Sequence, residues 1–200
     1  MNEVLQKEDI IIRDIIDAAR ALFKEFGFKK TTMGHIAMKM GKAKSSLYYY
    51  YQGKEEIFEA VINEEMTELL DRIHEAVGEA TTSKGKLIAY CRCRLHKLNQ
   101  LCNLSDVLKS EIAELQCMLT DVKSKFDTSH VELVKVILEE GVRNGEFKKI
   151  IPENIELIAY LMVSSFRGLA IPLMVSQKKY PRLDLQIDSI VDIMVEGIGR

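Results

Sequence analysis

Residues 41–54, GKAKSSLYYYYQGK, combine side chains that are suited to contact with an anionic polymer. The basic and hydroxyl members are Lys42, Lys44, Lys54, Ser45 and Ser46. Lysines neutralise phosphates, and serines hydrogen-bond to phosphates or to base edges. The four consecutive tyrosines add flat apolar surface and phenolic donors, and the segment has no acidic residue. This chemistry predicts nucleic-acid contact and suits a protein core poorly.

The basic residues are concentrated around this segment. Between residues 20 and 54 there are eight lysines and arginines and one acidic residue, whereas the whole chain of 200 residues carries a net charge of −2. Such a distribution is expected when one face of a protein meets phosphate, and a solvated basic face is the alternative.

Apolar periodicity places the segment in a helix-turn-helix. A helix is predicted over residues 33–40, with Thr32 as a candidate N-cap and Gly41 as its stop. A second helix is predicted over residues 44–50. In such a motif the second helix enters the major groove of DNA.

Residues 13–57 resemble the DNA-binding domain of TetR-type transcriptional regulators. The matching residues are Ala18, Ala19, Leu22, Phe23, Gly27, Phe28, Thr32, Ile36, Ala37, Gly41, Leu47, Tyr48, Tyr51, Lys54 and Glu55. Lys42 and Ala43 depart from the pattern, because the family usually has a small apolar residue and then Ser or Thr there. Ala43 cannot cap the second helix as Ser would, a loss of about 1 kcal/mol.

The resemblance implies a set of DNA-contacting residues. They are Thr32, Lys42, Lys44, Ser45, Ser46, Tyr48, Tyr49, Tyr50 and Lys54. Tyr49 and Tyr50 lie at positions that contact phosphates, and Lys54 begins a helix whose dipole would support a phosphate contact. Tyr48 is equally compatible with packing and with DNA contact. Leu47 and Tyr51 are expected to anchor the helix in the core.

The rest of the chain predicts an all-α fold, because Pro is scarce at 3 residues and helix formers are abundant. Nine helices are expected, over about residues 8–26, 33–40, 44–50, 54–77, 86–101, 105–115, 118–144, 151–177 and 184–198. Residues 78–85 are expected to form a loop and Pro172 to kink or end its helix. The domains expected are a helix-turn-helix DNA-binding domain over 1–54 and a helical ligand-binding and dimerisation domain over 55–200.

The last two helices predict a homodimer. The helix over residues 151–177 is apolar on nearly every side, so it needs cover on two sides. The resemblance implies the same interface, in which the last two helices pair with their symmetry mates. A two-fold dimer predicts an inverted-repeat operator in double-stranded DNA, with half-sites about 34 Å apart or somewhat more.

An effector site is suggested by two polar residues within apolar stripes, Arg94 and His130. They could hold the carboxylate of an amphipathic or anionic small molecule of unknown identity. The expected walls of such a pocket are Cys91, Met118, Met162 and Phe166. The alternatives are that Arg94 extends to the surface along its own stem and that His130 donates to a backbone carbonyl.

Other classes of function receive little support from the sequence. No nucleophile elbow, glycine-rich phosphate loop or cluster of acids with a histidine is present, so an enzyme is not expected. The 4 cysteines lack metal-binding spacing, and no metal or other cofactor is expected, although Cys93 and His96 share a helix face. No signal peptide or membrane span is recognised, so we expect a cytoplasmic protein with no membrane partner.

The function these patterns favour is a ligand-responsive transcriptional repressor that binds its operator as a dimer and is released by an effector. An activator of the same fold stays open, and so does a structural or partner-binding DNA protein without a small-molecule ligand.

Overall fold

The computed structural model describes residues 2–102, 120–175 and 186–196, and all regular structure within them is helical. The helices are α1 (Asn2–Phe26), α2 (Met33–Lys39), α3 (Lys44–Tyr48), α4 (Lys54–Glu79), α5 (Ser83–Cys102), α6 (Thr120–Arg143), α7 (Ile155–Val175) and α8 (Ile187–Glu196). A 3₁₀ turn, Pro152–Asn154, precedes α7. The all-α fold is thus confirmed, while the helix predicted over 105–115 lies outside the described residues.

The described residues fall into two compact units. The first contains residues 2–66 and 120–122, and the second contains residues 67–102, 123–175 and 186–196. Helix α4 supplies residues to both, because Ile57, Phe58 and Val61 are buried in the first core, and Leu69 and Ile73 in the second.

The first unit is built around the inner face of α1. Its core consists of Ile15, Ile16, Ala18, Ala19, Leu22, Phe23, Met33, Ile36, Ala37, Leu47, Ile57, Phe58 and Val61. Phe23, Phe28 and Phe58 meet in one aromatic cluster, with ring centroids 5.0–5.6 Å apart in tilted and edge-to-face arrangements. This cluster fixes the entry to α2 against α1 and α4.

The core of the second unit lies among α4, α5, α6, α7 and α8. Tyr90, Leu87 and Val134 are fully buried within it, and Phe147 closes it from the segment after α6. Its rim carries ion pairs that join α5 to its neighbours. Lys86 Nζ lies 2.7 Å from a Glu140 carboxylate oxygen on α6.

The connection between α4 and α5 is shorter than predicted. Helix α4 continues to Glu79 and α5 begins at Ser83, so the loop predicted over 78–85 is wrong at both ends. The physical reason is capping, which the local composition did not reveal. Thr82 Oγ1 accepts from the Gly85 N–H at 3.0 Å, and the Glu146 carboxylate accepts from the Ser83 and Lys84 N–H groups at 3.1 Å.

The segment after α6 turns back through Gly145, whose φ of 81° is in the left-handed region. The Phe147 N–H donates to the Gly141 carbonyl at 2.9 Å, and this places the Phe147 ring directly over Gly141. A Cβ at residue 141 would lie 2.1 Å from that ring, so only glycine fits there.

Helix α7 buries one face and exposes the other. Ile155, Ala159, Met162 and Val163 lie in the core, whereas Leu157, Tyr160 and Leu161 are each more than half exposed. The helix continues past Pro172 to Val175, so the proline does not end it. Ile193 and Met194 on α8 also expose apolar surface.

Candidate nucleic-acid interface and effector site

The turn between α2 and α3 has the geometry of a helix-turn-helix. Gly41 adopts a φ of 64° just after α2. Its N–H donates to the Met38 carbonyl at 3.1 Å, and the Lys42 N–H donates to the Ala37 carbonyl at 2.9 Å. These two bonds form a Schellman motif, which satisfies carbonyls at the helix end and redirects the chain into α3. Since a residue with a Cβ is strained at this φ, the glycine is required by conformation.

Both helix starts in the motif agree with the sequence analysis. Thr32 caps α2, where its hydroxyl oxygen accepts from the His35 N–H at 3.2 Å. Ala43 precedes α3 and provides no side-chain hydrogen bond to it. Helix α3 is therefore held mainly by Leu47, which is 1% exposed and packs in the first core.

One continuous exposed surface extends from the turn along α3. It consists of Lys42, Ala43, Lys44, Ser45, Ser46, Tyr48 and Tyr49. Tyr49 is 75% exposed, and the Lys44 ammonium lies 5.6 Å from the centre of the Tyr48 ring. Small hydroxyl side chains beside exposed amines can approach a polyanion closely, and the tyrosines widen the contact. We call these seven residues the α3 surface.

The four tyrosines divide between this surface and the core. Tyr48 and Tyr49 belong to the surface, whereas Tyr50 and Tyr51 are half-buried and pack against the first core. The Tyr50 ring stands edge-on to Tyr49, with centroids 4.9 Å apart. Tyr51 takes the anchoring position predicted for it, and burial followed by the charges of Glu64 and Glu56 raises its pKa.

Lys54 is held by hydrogen bonds within the protein. Its ammonium donates to the carbonyls of Phe28, Thr31 and Lys29 at 2.8, 3.1 and 3.3 Å, and it lies 4.3 Å from the centre of the Phe28 ring. An ammonium has three hydrogens to donate, and all three have an acceptor here. A phosphate contact by this side chain stays a prediction, and it would require exchange of one of these bonds.

Arg20 is one of the eight basic residues counted between residues 20 and 54, but its charge is paired with carboxylates within the protein. It forms ion pairs with Asp17 at 3.1 Å, with Glu65 at 3.2 Å and with Glu64. Its charge therefore joins α1 to α4. The exposed lysines in and near this motif are those of the α3 surface together with Lys24, Lys29, Lys30 and Lys39.

In the second unit, Arg94 and His130 come together as neighbours. Arg94 Nη1 lies 3.3 Å from His130 Nε2, and the Arg94 guanidinium lies 5.5 Å from the centre of the Phe166 ring. His130 is 1% exposed, and Cys91 and Met162 are buried in the same core. Met118 lies outside the described residues. His130 thus contacts the Arg94 guanidinium, whereas the alternative considered from the sequence was a hydrogen bond to a backbone carbonyl.

Tyr90 is a member of this site that was not predicted from the sequence. It is fully buried, its ring centroid lies 5.8 Å from that of His130, and it stands edge-on to Phe166 at 6.1 Å. The signal was available, because Tyr90 and Arg94 are four residues apart on one helix face. We call Tyr90, Arg94, His130 and Phe166 the polar cluster.

Burial sets the ionisation of this cluster. Desolvation, aided by the charges of Arg94 and His74, lowers the pKa of His130 to about 3, so the imidazole is neutral. Desolvation raises the pKa of Tyr90 to about 12 and that of Cys91 to about 12, against an opposing effect of Arg94. The cluster therefore presents one permanent cation, Arg94, with neutral donors beside it.

Cys93 and His96 do share a face, as the spacing indicated. With Leu69, Arg72, Arg92 and Lys97 they line a cavity of about 230 Å³. Burial raises the pKa of the Cys93 thiol, despite an opposing effect of Arg72. In the described part of the chain, no three His, Cys, Asp or Glu side chains come together as metal ligands, and no helix is long and apolar enough to cross a membrane.

Comparison with known proteins identifies the family. The profile of "Bacterial regulatory proteins, tetR family" matches residues 15–61, and that of "YsiA-like protein, C-terminal region" matches residues 62–197. These matches cover both parts of the chain in order. The protein belongs to the TetR family and is a DNA-binding transcriptional regulator.

Individual relatives agree over almost the whole length. The fatty acid metabolism regulator protein of Bacillus subtilis is 25% identical over 184 residues, which are 92% of this chain and 93% of that protein. A transcriptional regulator from Cytophaga hutchinsonii has a TM-score of 0.73 and 27% identity, over 91% of this chain and 95% of that one. FadR from Bacillus subtilis, solved in complex with stearoyl-CoA, has a TM-score of 0.68 and 22% identity, over 94% and 99%.

Proposed function

We propose that the protein is a cytoplasmic, dimeric repressor that binds an inverted-repeat operator and is released from it by an amphipathic effector. The observation that carries the proposal is the α3 surface, an exposed basic and hydroxyl face on the second helix of a helix-turn-helix. The DNA-binding function is assigned to about residues 1–54, and dimerisation and effector binding to about residues 55–200.

The proposed DNA contacts come from the α3 surface and the cap of α2. They are Thr32, Lys42, Lys44, Ser45, Ser46, Tyr48, Tyr49 and Tyr50. Lys54 belongs to this interface as a positioning residue, since its ammonium holds the carbonyls of the loop before α2. The exposure of Tyr48 favours DNA contact over packing at that position.

The test of operator binding is selection from a random duplex library, followed by measurement of affinity against salt concentration. Enrichment of one inverted repeat, with two protomers bound per site and a steep salt dependence, is expected. A Tyr49→Ala variant should bind the selected site at least tenfold more weakly at unchanged stability. Recovery of no common sequence would favour the structural or partner-binding DNA protein instead.

The exposed face of α7 supports a dimer. Leu157, Tyr160 and Leu161 form an apolar strip there, and Ile193 and Met194 on α8 add to the apolar surface. Such a surface is expected where a second copy packs. A Leu161→Asp variant should sediment as a monomer in analytical ultracentrifugation, whereas Val136→Asp, a control at a half-exposed position on α6, should remain a dimer.

The effector is proposed to carry a long acyl chain. Two findings support this class: the similarity to a regulator solved with stearoyl-CoA, and a polar cluster set in an apolar core. The proposed pocket residues are Cys91, Arg94, Met118, His130, Met162 and Phe166. Stearoyl-CoA is the probe for the test, and release of the protein from its selected operator at micromolar concentration is expected. If DNA binding is unchanged at saturating stearoyl-CoA, the proposed class of effector is wrong, while the proposal of operator binding stands.

Helix α4 is the proposed coupling element because it contributes to both cores. An effector can shift the DNA-binding population only if it binds one conformation better than the other. Substitution of Ile62 or Met66, near the middle of α4, should therefore alter the effector concentration needed for release while both binding events persist. Variants with unaltered release curves would exclude α4 from this role.

A further inference from the structure

The polar cluster contains two buried polar atoms that lack a hydrogen-bond partner within the described structure, the Tyr90 hydroxyl and His130 Nδ1. Their residues are 0% and 1% exposed. Buried polar groups in native proteins are almost always paired, because a group removed from water without a partner destabilises the folded state. Two such groups on adjacent side chains call for a common explanation.

The proton on His130 can be assigned from its neighbour. A guanidinium donates hydrogen bonds and accepts none, so the Arg94 Nη1 group donates to His130 Nε2 over 3.3 Å. In the neutral imidazole, the proton then resides on Nδ1. The atom without a partner is therefore an N–H donor.

Among the described residues, the cluster thus offers two hydrogen-bond donors that a ligand oxygen can accept from. His130 Nδ1–H donates, the Tyr90 hydroxyl can donate, and the Arg94 guanidinium adds a fixed positive charge beside His130 and the Phe166 ring. Around them lie buried Cys91, Leu95 and Met162, which are apolar. This arrangement suits an oxygen atom that accepts hydrogen bonds at the head of an apolar chain, and it disfavours an ammonium head group.

We propose that the Tyr90 hydroxyl and His130 Nδ1–H bind the acyl oxygen of the effector, with Arg94 alongside. This inference rests on the proposed effector class and adds the residues that select its head group. A fatty acid carboxylate and the carbonyl of an acyl thioester share this chemistry. The carboxylate would gain more from Arg94, because a hydrogen bond to a charged group is about twice as strong as a neutral one.

The experiment compares head groups on one chain length. Hexadecanoate, hexadecanoyl-CoA, hexadecanol and hexadecylamine are titrated into the full-length protein below their micelle concentrations. Binding is followed by displacement of a fluorescent fatty acid. We expect the acid and the thioester to bind, the alcohol to bind about tenfold more weakly, and the amine to bind weakest. The ratio of the two affinities shows whether the site prefers the fatty acid carboxylate or the acyl thioester carbonyl.

Two substitutions test the named donors. Tyr90→Phe removes the hydroxyl and keeps the ring, and His130→Met removes Nδ1–H and leaves a weak sulfur acceptor for Arg94. Each should weaken binding of the preferred acyl ligand about tenfold and reduce its advantage over the alcohol. Thr128→Val, which removes an exposed hydroxyl on α6 and keeps the shape of the side chain, is the control and should leave binding unchanged.

The stability of the ligand-free protein separates a binding role from a structural one. Because the Tyr90 hydroxyl has no partner in the described structure, Tyr90→Phe should leave the midpoint of unfolding unchanged or raise it. Loss of stability with unchanged ligand affinity would overturn the proposal, and so would an equal preference for the amine. Failure of all four ligands to bind would overturn it together with the effector class, whereas operator binding is measured separately and would stand.

Discussion

Lys54 offers a sharp test of whether a basic residue near the DNA-binding motif acts through phosphate or through the fold. Its ammonium donates to the carbonyls of Phe28, Thr31 and Lys29, and its charge lies 4.3 Å from the centre of the Phe28 ring. Substitution by Met keeps an unbranched apolar side chain, one atom shorter, and removes the donors and the charge. We expect Lys54→Met to lose stability and to keep the salt dependence of DNA binding.

The expected loss follows from the individual contacts. The bonds to the Phe28 and Thr31 carbonyls are partly buried and contribute about 1 kcal/mol each, which is below the range for charged bonds because water can replace part of them. The bond to Lys29 is exposed and adds little. The contact with the Phe28 ring adds about 0.5–1 kcal/mol. The free energy of unfolding should therefore fall by about 2–3 kcal/mol.

The assay is denaturant unfolding, together with affinity for the selected operator at several salt concentrations. Lys42→Met, at an exposed position of the α3 surface, should change stability by less than about 0.5 kcal/mol. Because the dimer loses one lysine from each protomer, the slope of log affinity against log salt should fall by about 1.8. Lys148→Met, an exposed lysine of the second unit, controls for net charge. A Lys54→Met variant of normal stability with a slope reduced by about 1.8 would refute the reasoning and identify Lys54 as a phosphate contact.

Three further outcomes are expected from denaturant or thermal unfolding. Gly141→Ala should destabilise the protein by about 1–3 kcal/mol, because its Cβ would lie 2.1 Å from the Phe147 ring. Gly78→Ala, whose Cβ would have no atom within 4 Å, should stabilise it by about 0.5–1 kcal/mol. Equal effects at these two helical glycines would contradict the packing argument. Ala43→Ser should stabilise by about 1 kcal/mol, since it supplies the missing cap of α3, and no gain would mean that the serine does not reach the helix N–H groups. Hydrogen bonds from the Lys84 and Ser83 N–H groups hold the pKa of Glu146 below its ordinary value of 4.5. The contribution of this carboxylate to folding stability is therefore present above pH 4.5 and is lost as the pH falls through the lower pKa of the folded state. Glu146→Gln should lower the midpoint of unfolding at about pH 7, and the variant should lose less stability on acidification than the parent protein does.

The sequence predicted the helix-turn-helix well because its signals are local. Thr32 is a cap by residue type, Gly41 a stop by conformational freedom, and Leu47 an apolar residue within a polar helix. Each acts within a few residues of itself, so a single sequence is enough to recognise it. The loop predicted over 78–85 is wrong because its decisive partner, Glu146, is distant in sequence and caps α5 only after the second unit has folded.

The roles of individual side chains could likewise be predicted only where they depend on neighbouring residues. Spacing placed Arg94 and His130 within apolar stripes, but their 3.3 Å contact depends on how α5 and α6 pack. The phosphate contact predicted for Lys54 stays a prediction, whereas the three carbonyls that accept from its ammonium come from residues 28, 29 and 31, far from it in sequence. Tyr90 shares the helix face of Arg94, yet only the three-dimensional structure shows that its buried hydroxyl has no hydrogen-bond partner among the described residues.

The sequence alone determined the all-α fold, the position of the DNA-binding motif and the resemblance to the TetR family. Helix periodicity, caps and short motifs depend on residues that are close together in the chain. Tertiary structure decided which tyrosines face outward, which lysine is held by the fold, and which donors meet in the second core. Those outcomes depend on contacts between residues far apart in the chain, and their geometry is set by the packing of whole helices.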